Sequence, residues 1–213
     1  MASATSPTRR RARRKDARPG EIVEAALRLF AERGFAASKL EDVAAAAGIS
    51  KGTIFLYFPT KEDLFRAVVR QAVLPNLEAA TALVADPALS AADTLRLLAE
   101  RFLELLDSDL TAIPKLIVAE AGNFPTLAQF YADEVAHKGM ALIRGILARG
   151  IEQGEFRPVD LDGALPLFSA PFLMLVLWKH SLGRHTDIQF NPRAVVATHL
   201  DVLLRGLAAE TRA

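Results

Sequence analysis

The chain has 213 residues, 51% of them apolar, and a formal net charge of +1, enough apolar mass for a packed core and too much for a disordered polymer. It has no cysteine, which excludes disulfide frameworks and thiolate metal centres. The charge is uneven: residues 1–18 carry seven Lys or Arg against one Asp, a net of +6, which leaves −5 on the other 195 residues.

The basic segment comprises Arg9, Arg10, Arg11, Arg13, Arg14, Lys15 and Arg18. No apolar run follows it, so it lacks the build of a secretory signal, and the chain is expected to stay in the cytoplasm. Residues 1–18 are expected to form a flexible arm, either lying along phosphates or in a minor groove, or simply a solvated tail. A first helix is expected to begin near Pro19, a good first-turn residue, and to run through Ile22, Ala26, Leu29 and Phe30 to Gly34.

Ser38 and Glu41 have the spacing of a capping box, and Leu40, Val43, Ala44 and Ala47 follow at i, i+3, i+4 and i+7, the stripe of a two-turn helix. Gly48 can take φ > 0 and reverse the chain, with Ile49 tucked beneath it and Ser50 capping what comes next. The following helix, Lys51 to Tyr57, is too short to stand alone and must be held by Ile49, Ile54 and Phe58. Its other faces, with Lys51, Thr53 and Tyr57, are expected to be free for DNA, Lys51 sitting at the positive end of the helix dipole. Pro59 ends the helix, Thr60 with Asp63 caps the next, and Lys61 falls in a first turn that suits a phosphate. Two short helices around a Gly turn have the build of a helix-turn-helix DNA reader.

Glu21 to Leu64 resembles the DNA-binding domain of the TetR family of bacterial transcriptional regulators. The matching elements are Ile22-Val23-Glu24-Ala25-Ala26 to Phe30, Gly34-Phe35, Asp42-Val43-Ala44, Ala47-Gly48-Ile49-Ser50, Gly52-Thr53, Tyr57-Phe58 and Lys61-Glu62-Asp63-Leu64. The resemblance implies that Lys51, Gly52, Thr53, Phe55, Leu56, Tyr57 and Lys61 read bases or clamp phosphates of a double-stranded operator. Lys39 stands where a Thr is common, so a cationic phosphate contact is gained there. Phe55 stands where Tyr is commoner, and a hydroxyl contact is lost.

From Lys61 a long helix is expected to pass Leu64, Phe65, Val68, Val69 and Leu74 towards Val84, tolerating or kinking at Pro75. Beyond Asp86-Pro87, capping signals at Ser90 with Asp93, Asn123 near Pro125, Asp160 near Gly163, and Asn191-Pro192 delimit helices near 90–107, 112–121, 125–153, 161–182 and 192–209. No alternating strand pattern occurs. The expected fold is all-α, with the arm at 1–18, a three-helix helix-turn-helix domain at 19–66, and a helical effector-binding and dimerisation domain at 67–213.

Leu116 to Ala128 is similar to the C-terminal domain of the AefR-like and AcrR-like branch of the same family, which implies ligand sensing and dimerisation. Gly163 to Trp178, sixteen residues without a charge, is shorter than the roughly 20 that a bilayer needs and contains Pro166 and Pro171, so it is expected to be a buried helix and no membrane partner is implied. Helices 161–182 and 192–209 are apolar over more than one face: Leu165, Phe168, Phe172, Leu175 and Trp178 in one, Val195, Val196, His199, Leu203 and Leu207 in the other. A helix with one partner layer needs one stripe, so the surplus points to a four-helix interface in a homodimer reading a palindromic operator.

A small apolar effector, flat in shape, is expected among Phe102, Leu106, Phe124, Phe130, Met140, Phe172 and Trp178, with Arg101, Glu120 and Arg144 giving polarity, although simple core packing is the commoner role for any one of the seven apolar residues. Its binding is expected to tilt the helix from Lys61 and release DNA. The four histidines show no ligand spacing with carboxylates, and neither a metal nor a cofactor is implied. Two other readings stay open: a DNA-binding protein without a ligand, and a small helical hydrolase using His185 and Asp187, which no nucleophile elbow or phosphate loop supports.

Overall fold

The computed structural model describes residues 7–86 and 88–209, with side chains from residue 19 onward. The chain separates into two compact units, Met1–Ala72 and Val73–Ala213. Among the described residues the fold is helical, the only β feature being an isolated antiparallel bridge between Phe156 and Ala208.

The first unit holds α1 (Pro7–Arg33), α2 (Leu40–Ala46), α3 (Lys51–Tyr57) and α4 (Lys61–Val68). Helix α1 carries Pro19 inside it, whereas the sequence placed its start there; the fixed φ of proline is compatible with a helix at the loss of one N–H bond. The expected arm at 1–18 lies outside the residues whose side chains are described. Ile22, Ala26 and Phe30 from α1, Val43 and Ala44 from α2, Ile54 from α3, and Leu64, Phe65 and Val68 from α4 are almost wholly buried. Three rings knit this core, with centroids 5.4 Å apart for Phe30–Phe35, 6.0 Å for Phe30–Phe65 and 5.6 Å for Phe35–Phe65.

After α4 the chain makes one π-helical turn, Val69–Val73, and continues as α5 (Leu74–Val84). The expected long helix is therefore interrupted at Pro75, which falls in the first turn of α5, where a missing N–H is tolerated. The second unit continues with α6 (Ala91–Leu105), α7 (Ala112–Glu120), α8 (Pro125–Tyr131), α9 (His137–Glu152), α10 (Leu161–His180) and α11 (Pro192–Leu207). A second π-helical turn, Ala132–Ala136, joins α8 to α9.

The core of this unit gathers Ala91, Leu95, Ile146, Leu147, Phe156, Phe168 and Leu207. Gly150 on α9 makes the approach possible: a Cβ there would lie 2.3 Å from the Phe156 ring and 2.9 Å from Ala91 Cβ. Glu155 caps α6 from across the core, its carboxylate accepting from Ala91 N at 2.7 Å and Ala92 N at 2.9 Å. The Arg149 guanidinium donates to Val84 O at 3.0 Å and Thr94 Oγ1 at 2.8 Å, tying α9 to the end of α5 and to α6.

Helix α10 is 20 residues long, so it reaches the length of a bilayer span, and among the described residues it alone is long and apolar enough for one. The expectation of a buried helix holds on one side only. Ala164, Phe168, Leu175 and Val176 are buried, but Leu167, Leu173 and Met174 are exposed, as is Val202 on α11. Between α10 and α11 runs a groove of about 710 Å³ that includes Asp160, Leu167, His199, Val202 and Gly206.

Candidate nucleic-acid interface and effector residues

The turn between α2 and α3 forms as the sequence implies. Gly48 has φ +66°, its N–H bonds to Ala45 O at 3.1 Å, and Ile49 N bonds to Ala44 O at 2.9 Å, which together make a Schellman ending for α2. Ser50 then caps α3, its hydroxyl oxygen accepting from Thr53 N at 3.1 Å.

The start of α2 differs from the expected capping box. Lys39, not Ser38, is the N-cap, and its side chain makes no capping bond. Ser38 is turned into the core, where its hydroxyl donates to Gly34 O at 2.7 Å, because the carbonyls ending α1 need a donor there. Glu41 is therefore not a capping partner of Ser38. It pairs with Lys51 Nζ at 2.9 Å, and that hydrogen bond holds its carboxyl below the usual range.

Lys39, Lys51, Gly52, Phe55 and Leu56 are exposed, while Thr53 and Tyr57 are half-buried. Thr53 is less free than its spacing suggests: its hydroxyl and that of Ser50 lie 2.8 Å apart and share one bond, which leaves one hydroxyl proton between them for another acceptor. Lys61 is more tightly held. Its ammonium donates to Phe35 O at 2.6 Å, Ala36 O at 3.1 Å and Ser38 O at 2.9 Å, and lies 4.4 Å from the centroid of the Phe35 ring. Nothing in the local sequence signals this role, since the carbonyls belong to a loop 23 to 26 residues earlier. Thr60 and Asp63 cap α4 as expected, with Thr60 Oγ1 accepting from Asp63 N at 3.1 Å.

The residues expected around an effector are spread over several helices of the second unit. Leu106 is buried, and Phe102 and Phe172 meet edge to face at 4.9 Å within a ring cluster that also takes in Phe168 and His199. Trp178 donates from Nε1 to Ile188 O at 3.2 Å and packs against Phe190 at 4.8 Å, which fixes the loop between α10 and α11. Phe124 and Phe130 are half-buried, and Met140 is exposed. Of the polar candidates, Arg101 pairs with Glu104, Arg144 with Asp162, and Glu120 accepts from Asn123 Nδ2.

The chain matches the model for bacterial regulatory proteins of the tetR family over residues 22–68, and that for the tetracyclin repressor-like C-terminal domain over residues 86–189. It is 30% identical over 199 residues to the HTH-type transcriptional repressor KstR2 of Mycobacterium tuberculosis, covering 92% of this chain and 95% of that protein. KstR2 of Rhodococcus jostii is 27% identical over 197 residues, covering 92% and 93%. The crystal structure of the transcriptional regulator FadR from Bacillus subtilis in complex with stearoyl-CoA superposes with a TM-score of 0.74 at 23% identity, covering 88% of this chain and 98% of that one.

Proposed function

We propose, since this chain belongs to the TetR family of bacterial regulatory proteins and is a ligand-responsive DNA-binding transcriptional regulator, that it works as a homodimeric repressor whose two α3 helices enter adjacent major-groove faces of a palindromic operator. The observation that carries this reading is the surface of α3: a seven-residue helix, buried at Ile54 alone, leaves Lys51, Gly52, Phe55 and Leu56 exposed. Lys39 and Lys51 supply phosphate contacts, and Thr53 and Tyr57 border the bases. The exposed apolar residues of α10 and α11, Leu167, Leu173, Met174 and Val202, make the subunit interface.

The effector presents an apolar portion to the protein, and long-chain acyl thioesters, whose acyl chain would supply it beside an anionic head, are the class to test first, because the Bacillus subtilis relative holds stearoyl-CoA. Phe102, Leu106, Phe124, Phe130, Met140, Phe172 and Trp178 are the residues we assign to its contact. Binding must favour the DNA-free state over the DNA-bound one, since only such a difference releases the operator. The chain is a regulator to which this reading assigns no catalytic step; His185 and Asp187 are both exposed in the loop after α10.

Selection of bound sequences from a random double-stranded library by the full-length protein tests the reading. A palindrome with half-sites about one helical turn apart is expected, and stearoyl-CoA is expected to weaken its binding. Recovery of sequence-independent, salt-sensitive binding alone would overturn the repressor assignment.

A further inference from the structure

The two positions of α3 turned furthest from the core, Gly52 and Leu56, carry no hydrogen-bonding side chain. With 3.6 residues per turn, successive residues step about 100° around the axis, so relative to the buried Ile54 the position of Gly52 lies at about 160° and Leu56 at about 200°, with Phe55 at about 100° and Thr53 at about 260° on their two flanks. Leu56 is 84% exposed, the highest value among the exposed large apolar side chains described, and Phe55 is 40% exposed. Ile54, by contrast, is fully buried, which fixes the rotation of the helix. Gly52 has only Ser50 Oγ at 3.9 Å near the place where a Cβ would stand, so the helix backbone can come close to whatever faces it there.

Such a face cannot discriminate bases by donors and acceptors. In the major groove the one apolar mark that separates base pairs is the C5-methyl group of thymine. Resting on the DNA-binding role proposed above, we infer that the Gly52–Phe55–Leu56 face selects thymine through that methyl, and that each operator half-site holds a thymine there whose methyl group is required. Of the side chains flanking the face, Lys51 pairs with Glu41 and Thr53 shares a hydroxyl bond with Ser50, which leaves Leu56 with Phe55 as the apolar contact at its centre. The same contact would accept 5-methylcytosine in place of thymine and reject unmethylated cytosine.

The test uses the full-length protein and its selected operator, with deoxyuridine replacing thymidine one position at a time so that only a methyl group is lost. Burial of one methyl corresponds to about a fourfold change in affinity, so about fourfold weaker binding is expected for a single half-site and about fifteenfold for both. In Leu56→Ala or Phe55→Ala, the variant that has lost the contact should bind the thymidine and deoxyuridine operators alike. Both side chains are exposed, so these variants keep the fold, and the DNA substitutions need no variant at all. An operator that is selected but tolerates deoxyuridine everywhere overturns the methyl readout while leaving the repressor function standing. Sensitivity that persists unchanged in both variants overturns the assignment to this face, and failure to select any operator removes the function beneath it.

Discussion

The Lys61 ammonium has three protons and three carbonyl oxygens within 3.1 Å, so a phosphate can reach it only by displacing one of them. Lys61→Met should lower stability by about 1–3 kcal/mol, read in urea denaturation, while the salt slope of operator binding changes by less than one ion. A slope reduced by about 1 with stability intact would instead make Lys61 a phosphate contact. A second residue-scale consequence concerns His180. The Thr111 hydroxyl, within reach of Leu106 O and Ser108 O, also lies 2.9 Å from His180 Nε2 in a shared hydrogen bond, while Nδ1 is buried with no hydrogen-bond partner among the described residues. Desolvation, with Lys179 and Arg184 nearby, holds the imidazole below its ordinary value of 6.5; burial does the same for His199. The folded chain thus binds fewer protons than the unfolded chain in that window. Stability from these rings is complete above about pH 6.5 and is lost as the pH falls through the lowered folded values. Melting midpoints should decline below pH 6.5, and His180→Gln should flatten part of that decline; a midpoint independent of pH between 5 and 7 would contradict it.

At the scale of elements, α9 packs on α6 through the gap left by Gly150. Gly150→Ala puts a methyl against the Phe156 ring and should destabilise the second unit by about 1–3 kcal/mol, measured by calorimetry, without altering the helical content of the first. Most of the elements were legible because their signals are local: Ser90 with Asp93, Asp160 before Gly163, and Asn191 before Pro192 all cap as their spacing implied. Asn123 did not, since Phe124 is the N-cap of α8 and Asn123 turns to Glu120 instead. What the sequence hid depends on distant partners. The inward turn of Ser38, the carbonyl nest around Lys61 and the engagement of Arg149 with Val84 and Thr94 are settled by packing, and no periodicity encodes them. The α3 helix was readable for the opposite reason, its caps and its one buried residue all lying within nine positions. For the effector residues the spacing is silent, because an aromatic ring in a core and one lining a cavity recur alike: Phe102 and Phe172 pack on each other at 4.9 Å, a contact that fits either role.

For the molecule as a whole, pairing of two copies decides whether the recognition helices can work together. Charging the exposed apolar surface by Leu167→Glu with Val202→Glu should yield monomers in light scattering and weaken operator binding far more than either unit's folding. Retained dimers would place the interface elsewhere. Deleting residues 1–18 removes a net of +6 and should flatten the dependence of DNA affinity on salt, since fewer counterions are released; an unchanged slope would leave the arm without a role in binding.

With the subunit interface proposed above, the apolar side of α10 and α11 also ties the protein's endurance to its own abundance. Leu167, Leu173, Met174 and Val202 meet water in a lone chain. By mass action the melting temperature must climb as total protein rises, and dilution alone promotes unfolding. A gene expressed at a few copies per cell would hold part of its product as the less stable monomer, prone to proteolysis. Doubling expression would raise the amount of working regulator more than twofold, a built-in threshold set by four exposed side chains.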